Sequence, residues 1–111
     1  MNKFKVAFKG LFLAFKHHAV IIQGILGIMA LIGAYILKFN YIEYIIFILC
    51  IGLVIALEIV NTTIERICDL IDINYNEKIK DIKDISSGAV LVVAIMSFII
   101  CLIIVINKGV L

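Results

Sequence analysis

Hydrophobic residues fall into three long runs, which are separated by shorter polar segments. The runs cover residues 19–37, 41–60 and 85–106; the first and third carry no charge, and the second holds only Glu43 near its start and Glu58 near its end. A helix of about twenty residues, rising about 1.5 Å per residue, spans the hydrocarbon core of a bilayer. The pattern therefore predicts an all-α membrane protein with three transmembrane helices in one integral membrane domain, residues 1–111.

The segment before the first run, residues 1–18, is amphipathic with a helical period. One face holds Phe4, Phe8, Leu11 and Phe15, and an adjacent face holds Lys5, Lys9 and Lys16. This pattern is typical of a helix that lies in the membrane interface. Because lysines continue to position 16 instead of ending after a short basic region, a cleaved signal peptide is disfavoured. We expect an N-terminal surface helix.

The basic residues alternate between the segments that join the runs. Four lie before the first run, one follows it at Lys38, four lie within residues 61–84, and one is Lys108 near the C-terminus. Loops rich in lysine and arginine stay in the cytoplasm. The alternation predicts that the N-terminus and residues 61–84 are cytoplasmic and that the C-terminus is outside.

The composition excludes several classes of protein. Hydrophobic residues make up 65% of the 111 positions, and the mean hydropathy is +1.24. A soluble enzyme of this size could not bury so much apolar surface. A disordered chain has the opposite composition, with few apolar residues. The net charge of +2 gives no reason to expect a nucleic-acid partner. Cys50, Cys68 and Cys101 are scattered, and we interpret them as small hydrophobic residues without a disulfide framework.

A polar stripe begins where the second run ends. At about 100° per residue, Glu58, Asn61, Glu65 and Asp69 fall within about 80° of one helix face, so the second helix is expected to continue to about residue 71. Glu58 adjoins the apolar run and has no lysine or arginine three or four residues away. Carboxylates and an amide suit Mg²⁺. For Asp69, a solvated face of a protruding helix explains the pattern equally well.

Positive charge follows this stripe. Lys78, Lys80 and Lys83 precede Asp84, and the small residues 86–89 open the third run. Free N–H groups at such a helix start would favour an anion. For Lys78 and Lys80, a solvated basic cluster beside the membrane is the better interpretation. No glycine-rich phosphate-binding loop ending in lysine and serine or threonine is present, so a P-loop enzyme is excluded.

These residues resemble the small prokaryotic diacylglycerol kinase and undecaprenol kinase family over nearly the whole chain. The resemblance implies a homotrimeric lipid kinase of the bacterial cell membrane, which transfers the γ-phosphate of Mg-ATP to a lipid hydroxyl at the cytoplasmic surface. Undecaprenol is favoured over diacylglycerol as the substrate, on the resemblance alone. The matching residues keep the family's spacing: E-I-V-N-T-T-I-E at 58–65, Asp69, Tyr75, Lys83, Asp84 and G-A-V-L at 88–91.

The resemblance also implies a role for each matching residue. Glu58 would be the general base and Asn61 would position the reacting groups. Glu65 would bind both the metal and the nucleotide. The remaining nucleotide contacts would be Tyr75, Asn76, Lys83 and Asp84.

The chain departs from the family pattern at the end of the surface helix. His18 stands where the family has a second acidic metal ligand, and Ile22 stands where it has an arginine. Imidazole is a poorer ligand than carboxylate for Mg²⁺. An alternative is therefore a catalytically impaired relative that acts as a lipid-binding or regulatory scaffold. A small channel or transporter is disfavoured because Glu58 lies near one end of its span instead of at the midplane.

Overall fold

The computed structural model describes residues 2–72, 74 and 76–109, and these residues form helices joined by short connections. Within these residues there is no strand, which confirms the predicted all-α class. Three of these described helices, those that begin at His18, Tyr41 and Glu77, are long and apolar enough to cross a membrane. The helices are α1 (Lys3–Ala14), α2 (His18–Ile36), α3 (Tyr41–Ile71) and α4 (Glu77–Asn107).

Asparagine side chains cap the N-termini of three of these helices. The Asn2 and Asn76 side chains accept hydrogen bonds from backbone N–H groups in the first turns of α1 and α4. Asn40 and Glu43 form a capping box at the start of α3, in which each side chain accepts from the other residue's backbone N–H at 2.9 Å. Asparagine is among the best residues at this position because its side-chain oxygen satisfies an otherwise unpaired donor.

The cap at Asn76 corrects one expectation. Because α4 begins at Glu77, residues 86–89 lie inside the helix and do not open it. Their backbone N–H groups are therefore engaged within the helix, and they do not form the anion site expected at a helix start. The charged segment between Glu77 and Asp84 contains lysine, glutamate and isoleucine without glycine or proline, which allows the helix to extend this far toward its N-terminus.

The connection between α2 and α3 is a tight turn. Lys38 has a φ of 58°, and the Phe39 N–H donates to the Ala34 carbonyl at 3.0 Å. This arrangement is a Schellman motif, with lysine at the left-handed position where glycine is usual. The turn directs the Phe39 ring into a small core with Ala34, Phe47 and Ile104. It therefore fixes α2, α3 and α4 to one another at this end.

Helix α3 is central, since it packs against both α2 and α4. Gly27 allows the close approach of α2, because a Cβ atom there would lie 2.8 Å from the Ile51 side chain. Most large apolar side chains on α2 and α4 are exposed in the single chain, as expected of helices that face lipid or other membrane helices. The three cysteines are free thiols.

Candidate active site

The polar stripe lies on the half of α3 that is remote from the Phe39 turn. Glu58 is 8% exposed and Asn61 is 5% exposed, and they are the buried polar or charged residues among those that the structure describes. No described lysine, arginine or histidine forms an ion pair with Glu58. A buried carboxylate without a cation is expensive at the edge of a membrane span, so its position requires a reason other than stability.

Asn61 links the buried part of the stripe to its exposed part. Its Nδ2 donates to Glu65 Oε1 at 3.2 Å, one turn further along α3. Its Oδ1 is buried and has no hydrogen-bond partner among the described residues. The amide therefore orients the Glu65 carboxylate and keeps an unused acceptor beside it.

This donor set fits a hard divalent cation. Glu58, Asn61 and Glu65 present carboxylate and amide oxygens on one helix face, and oxygen is the ligand type that Mg²⁺ prefers. Within the described residues there is no group of three or more histidine, cysteine, aspartate or glutamate side chains that could hold a metal alone. Mg²⁺ often binds through one or two carboxylates together with substrate phosphates, so a small protein ligand set is compatible with it.

A salt bridge joins α3 to α4 beyond Glu65. Lys83 Nζ lies 2.6 Å from Asp69 Oδ1, and both side chains are partly exposed. The hydrogen bond to Asp69 raises the pKa of the Lys83 ammonium above its ordinary value, so Lys83 is a cation at neutral pH. Asp69 is therefore more than a solvated residue on a helix face.

Next to this salt bridge is a cavity of about 310 Å³. It brings together three residues that the sequence analysis singled out, Asp69, Asn76 and Lys83. The side-chain oxygen of Asn76 is already engaged as the α4 cap, accepting from the Lys78 N–H at 3.0 Å. The cavity is open to the surface, and its described lining includes two lysines and two aspartates, so an anionic ligand there would meet cationic side chains. Its remaining lining residues are Asp72, Asn74, Ile79 and Lys80.

Comparison with known proteins identifies the family. The family model for prokaryotic diacylglycerol kinase matches residues 5–105. The chain belongs to the prokaryotic diacylglycerol kinase family. Undecaprenol kinase of Bacillus subtilis (strain 168) is 40% identical over 78 residues, which cover 70% of this chain and 63% of that protein. The family predicted from the sequence motifs is confirmed, and the chain matches less than two thirds of this relative's length.

The matched range in this diacylglycerol kinase family member contains both the polar stripe and the Asp69–Lys83 cavity. Asp84 stands apart from the cavity lining and forms an exposed ion pair with Lys80 at 2.6 Å. Tyr75 lies outside the described residues. The nucleotide roles of Asp84 and Tyr75 stay predictions.

The surface-helix end of the site differs most from the sequence-based expectation. His18 is exposed as the first residue of α2, and its role as a metal ligand with Glu65 stays a prediction. The neighbouring His17 is the one that contacts α3, with its Nε2 at 3.4 Å from Arg66 Nη1.

Asp72, Asn74 and Lys80 also line the cavity, which the sequence pattern did not predict. The polar run between α3 and α4 was the available signal for them. Spacing alone did not show that this run folds against Lys83, because the contact depends on how α3 and α4 pack.

Proposed function

We propose that this diacylglycerol kinase family member is an ATP-dependent lipid kinase, which transfers the γ-phosphate of Mg-ATP to the hydroxyl of a membrane lipid. The observation that carries the proposal is the buried carboxylate of Glu58, which has no cationic partner among the described residues and lies on the same helix face as Asn61 and Glu65. Undecaprenol is the proposed acceptor in preference to diacylglycerol. The 40% identity to Bacillus subtilis undecaprenol kinase supports that preference.

Glu58 acts as the general base. Its carboxylate accepts the proton of the lipid hydroxyl as that oxygen bonds to the γ-phosphorus, while the bond from phosphorus to the bridging oxygen breaks and ADP leaves. Glu58 stands where the apolar part of α3 gives way to the polar stripe, which is the depth at which a lipid hydroxyl lies. A base further along the exposed part of α3 would not reach it.

Glu65 and Asn61 organise the phosphate end of the reaction. The hydrogen bond from Asn61 holds the Glu65 carboxylate in one orientation, so that it can bind the metal of Mg-ATP. When bound there, Mg²⁺ neutralises charge on the transferred phosphoryl group. His18, which replaces the family's second acid, is a weaker contributor to the metal site in this proposal.

The cavity beside Lys83 receives the nucleotide. Lys83 exchanges part of its contact with Asp69 for a phosphate oxygen, and Asn76 lines the same cavity. Asp84 and Tyr75 are the further nucleotide contacts that the family resemblance implies. Phosphoryl transfer depends mainly on positioning and charge neutralisation, so these groups suffice without a P-loop. The proposed orientation places this cavity and the N-terminus in the cytoplasm of a bacterial cell, with the C-terminus outside.

A homotrimer in the cell membrane completes the proposal. Gly52 on α3 faces open space in the single chain, with nothing within 4 Å of an added Cβ atom. Small residues on a membrane helix allow a second helix to approach closely. The mass of the protein–detergent complex, measured by light scattering and corrected for bound detergent, tests this state: a monomer would contradict it.

The deciding experiment measures transfer of labelled γ-phosphate from Mg-ATP to lipid in mixed micelles. Undecaprenol and diacylglycerol are offered separately, and Glu58→Gln is the control because it removes the base at nearly constant volume. We expect labelled undecaprenyl phosphate from the native protein and none from the variant. Equal rates in both proteins would remove Glu58 as the base.

The alternative function is a non-catalytic, lipid-binding scaffold. The observation in its favour is His18, an exposed imidazole at the position of a family acid. Folded native protein that transfers phosphate to neither lipid would establish this alternative.

A further inference from the structure

A second cavity at the same end of the molecule is not used by the proposed reaction. It has a volume of about 450 Å³ and lies between α1 and α3, and it shares no lining residue with the cavity at Asp69 and Lys83. Four of its five described α3 residues follow a residue of the polar stripe by one position, so they face about 100° away from it. The polar side chains that line it are Lys16, His17, Thr62, Thr63 and Arg66.

The described residues that line this second cavity include basic groups and no acidic ones. No aspartate or glutamate lines it, and Arg66 has no carboxylate partner among residues 2–72, 74 and 76–109. In the described part of the chain, the polar contact of its guanidinium is with the His17 ring nitrogen at 3.4 Å. A guanidinium carries five N–H donors, so most of them are available to a ligand. Lys16 holds its ammonium 5.3 Å from the Phe12 ring centroid.

The beginning of α2 adds a second, independent feature. This 19-residue helix starts directly after His17, without a side-chain cap and without an acid in its first turn. The first backbone N–H groups of a helix have no partner within it, and they carry a partial positive charge. The chain therefore places an uncapped helix start beside two cationic side chains, and an anion would satisfy all three.

The position of the cavity points to the anion's source. Its other walls are apolar or small, namely Gly10, Leu13, Ala14, Ile59 and Leu70. Ile59 follows Glu58, so the cavity begins at the edge of the hydrocarbon region, and α1 has the pattern of an interfacial helix. An apolar wall below a cationic rim at this depth matches a lipid whose phosphate lies above its chains.

We propose that this cavity, between α1, the start of α2 and α3, binds the phosphate headgroup of an anionic phospholipid of the surrounding leaflet. Arg66 forms paired hydrogen bonds to two phosphate oxygens, Lys16 supplies a second charge, and the α2 start supplies backbone donors. The site is independent of phosphoryl transfer, since it uses none of the residues assigned to that reaction.

The test measures binding of a fluorescent phosphatidylglycerol to the full chain in neutral detergent micelles, by fluorescence anisotropy. We expect saturable binding, which Arg66→Gln weakens about tenfold, the equivalent of one strong charge-assisted contact. The matched control is Lys9→Gln, which removes one positive charge from α1 outside the cavity lining. It should change the affinity less than about twofold, since exposed charges are screened. Circular dichroism verifies that both variants are folded.

Several results would overturn the proposal. Equal weakening by Arg66→Gln and Lys9→Gln would mean that the lipid is attracted by diffuse charge only. Displacement of the lipid by millimolar inorganic phosphate would make a soluble anion the occupant. Displacement by ATP, or a raised KM for ATP in Arg66→Gln with lipid affinity unchanged, would assign the cavity to the nucleotide.

Discussion

Each end of α3 holds a glutamate, Glu43 at one end and Glu58 at the other, and the surroundings of the two carboxylates differ. At the end near the Phe39 turn, which we call the closed end (residues 37–44 and 104–108), Glu43 is satisfied. It lies 2.9 Å from Lys108 Nζ and accepts the Asn40 N–H at 2.9 Å. Lys108 also donates to the Lys38 carbonyl at 3.1 Å and lies over the Phe39 ring, 5.4 Å from its centroid. The charge of Glu43 therefore serves the fold.

At the other end, which we call the polar end (residues 58–71 of α3 and 77–83 of α4), Glu58 is more deeply buried than Glu43. Among the described residues, Glu58 has no ion-pair partner and Asn61 Oδ1 has no hydrogen-bond partner. Nearly all buried polar groups in proteins are hydrogen-bonded, so each exception requires an explanation. In our proposal, the carboxylate of Glu43 serves stability and that of Glu58 serves the reaction. Matched substitutions at the two ends test that distinction.

The largest effect is expected for Glu58→Gln at the polar end. Loss of the base should lower kcat for phosphoryl transfer by about 10³-fold, within the range for general base catalysis. The thermal unfolding temperature should stay the same or rise, because an unpaired buried charge is removed. Glu43→Gln is the matched control and should keep near-native kcat. If the two variants lose activity to the same extent, the contrast between the ends fails.

The next largest effect is expected for Glu65→Ala. Removal of a metal ligand should raise the Mg²⁺ concentration for half-maximal activity by about 10-fold or more, in line with changes at metal sites. A titration of rate against Mg²⁺ at saturating ATP measures it. Asp81→Ala is the control, because Asp81 is an exposed acid on α4 that lies outside the cavity lining. A native titration curve for Glu65→Ala would contradict its role as a ligand.

At the closed end the effect should appear in stability alone. Lys108→Met leaves Glu43 partly buried without its cation, and breaking one side of such a pair is destabilising. We expect the unfolding temperature in detergent to fall by several degrees, with kcat for the remaining folded protein unchanged. The double variant Glu43→Gln with Lys108→Met should recover part of the loss. A drop in kcat at full folding would show that the closed end communicates with the site.

For Lys83→Gln, we expect a rise in KM for ATP of about tenfold, from the loss of one charged contact to phosphate. The value of kcat should change less, since Lys83 binds nucleotide in our proposal and does not transfer the proton. Lys78→Gln provides the control, because Lys78 lies on the same segment but does not line the cavity. Equal KM values for the two variants would show that Lys83 does not bind the nucleotide.

The contrast between the ends was only partly predictable from the sequence. Period and hydropathy predict the helices, because lipid leaves backbone groups no other partner, and the spacing of Glu58, Asn61 and Glu65 predicts their common face. The pairing of Glu43 with Lys108 joins residues 65 positions apart. Local pattern carries no signal for it, since it depends on how α3 and α4 pack. The same reason explains why the sequence pattern pointed to His18, whereas the histidine that contacts Arg66 on α3 is His17.

The smallest effect is expected for His18→Glu, at a position of α2 where the chain departs from the family pattern. Restoring an acid at the start of α2 adds a negative charge that can bind the metal. The same charge stabilises α2, because the N-terminus of a helix carries a partial positive charge. Because His18 is exposed, the gain is limited by solvent screening to about 1 kcal/mol, roughly fivefold in kcat/KM. The measurement compares kcat/KM at low Mg²⁺, where a better ligand set matters most, with His17→Glu as the control that places the same charge beside Arg66. A gain confined to His18→Glu would show that the polar end is complete except for this ligand. A gain in neither variant would mean that Glu65 and the nucleotide phosphates hold the metal without help from the surface helix.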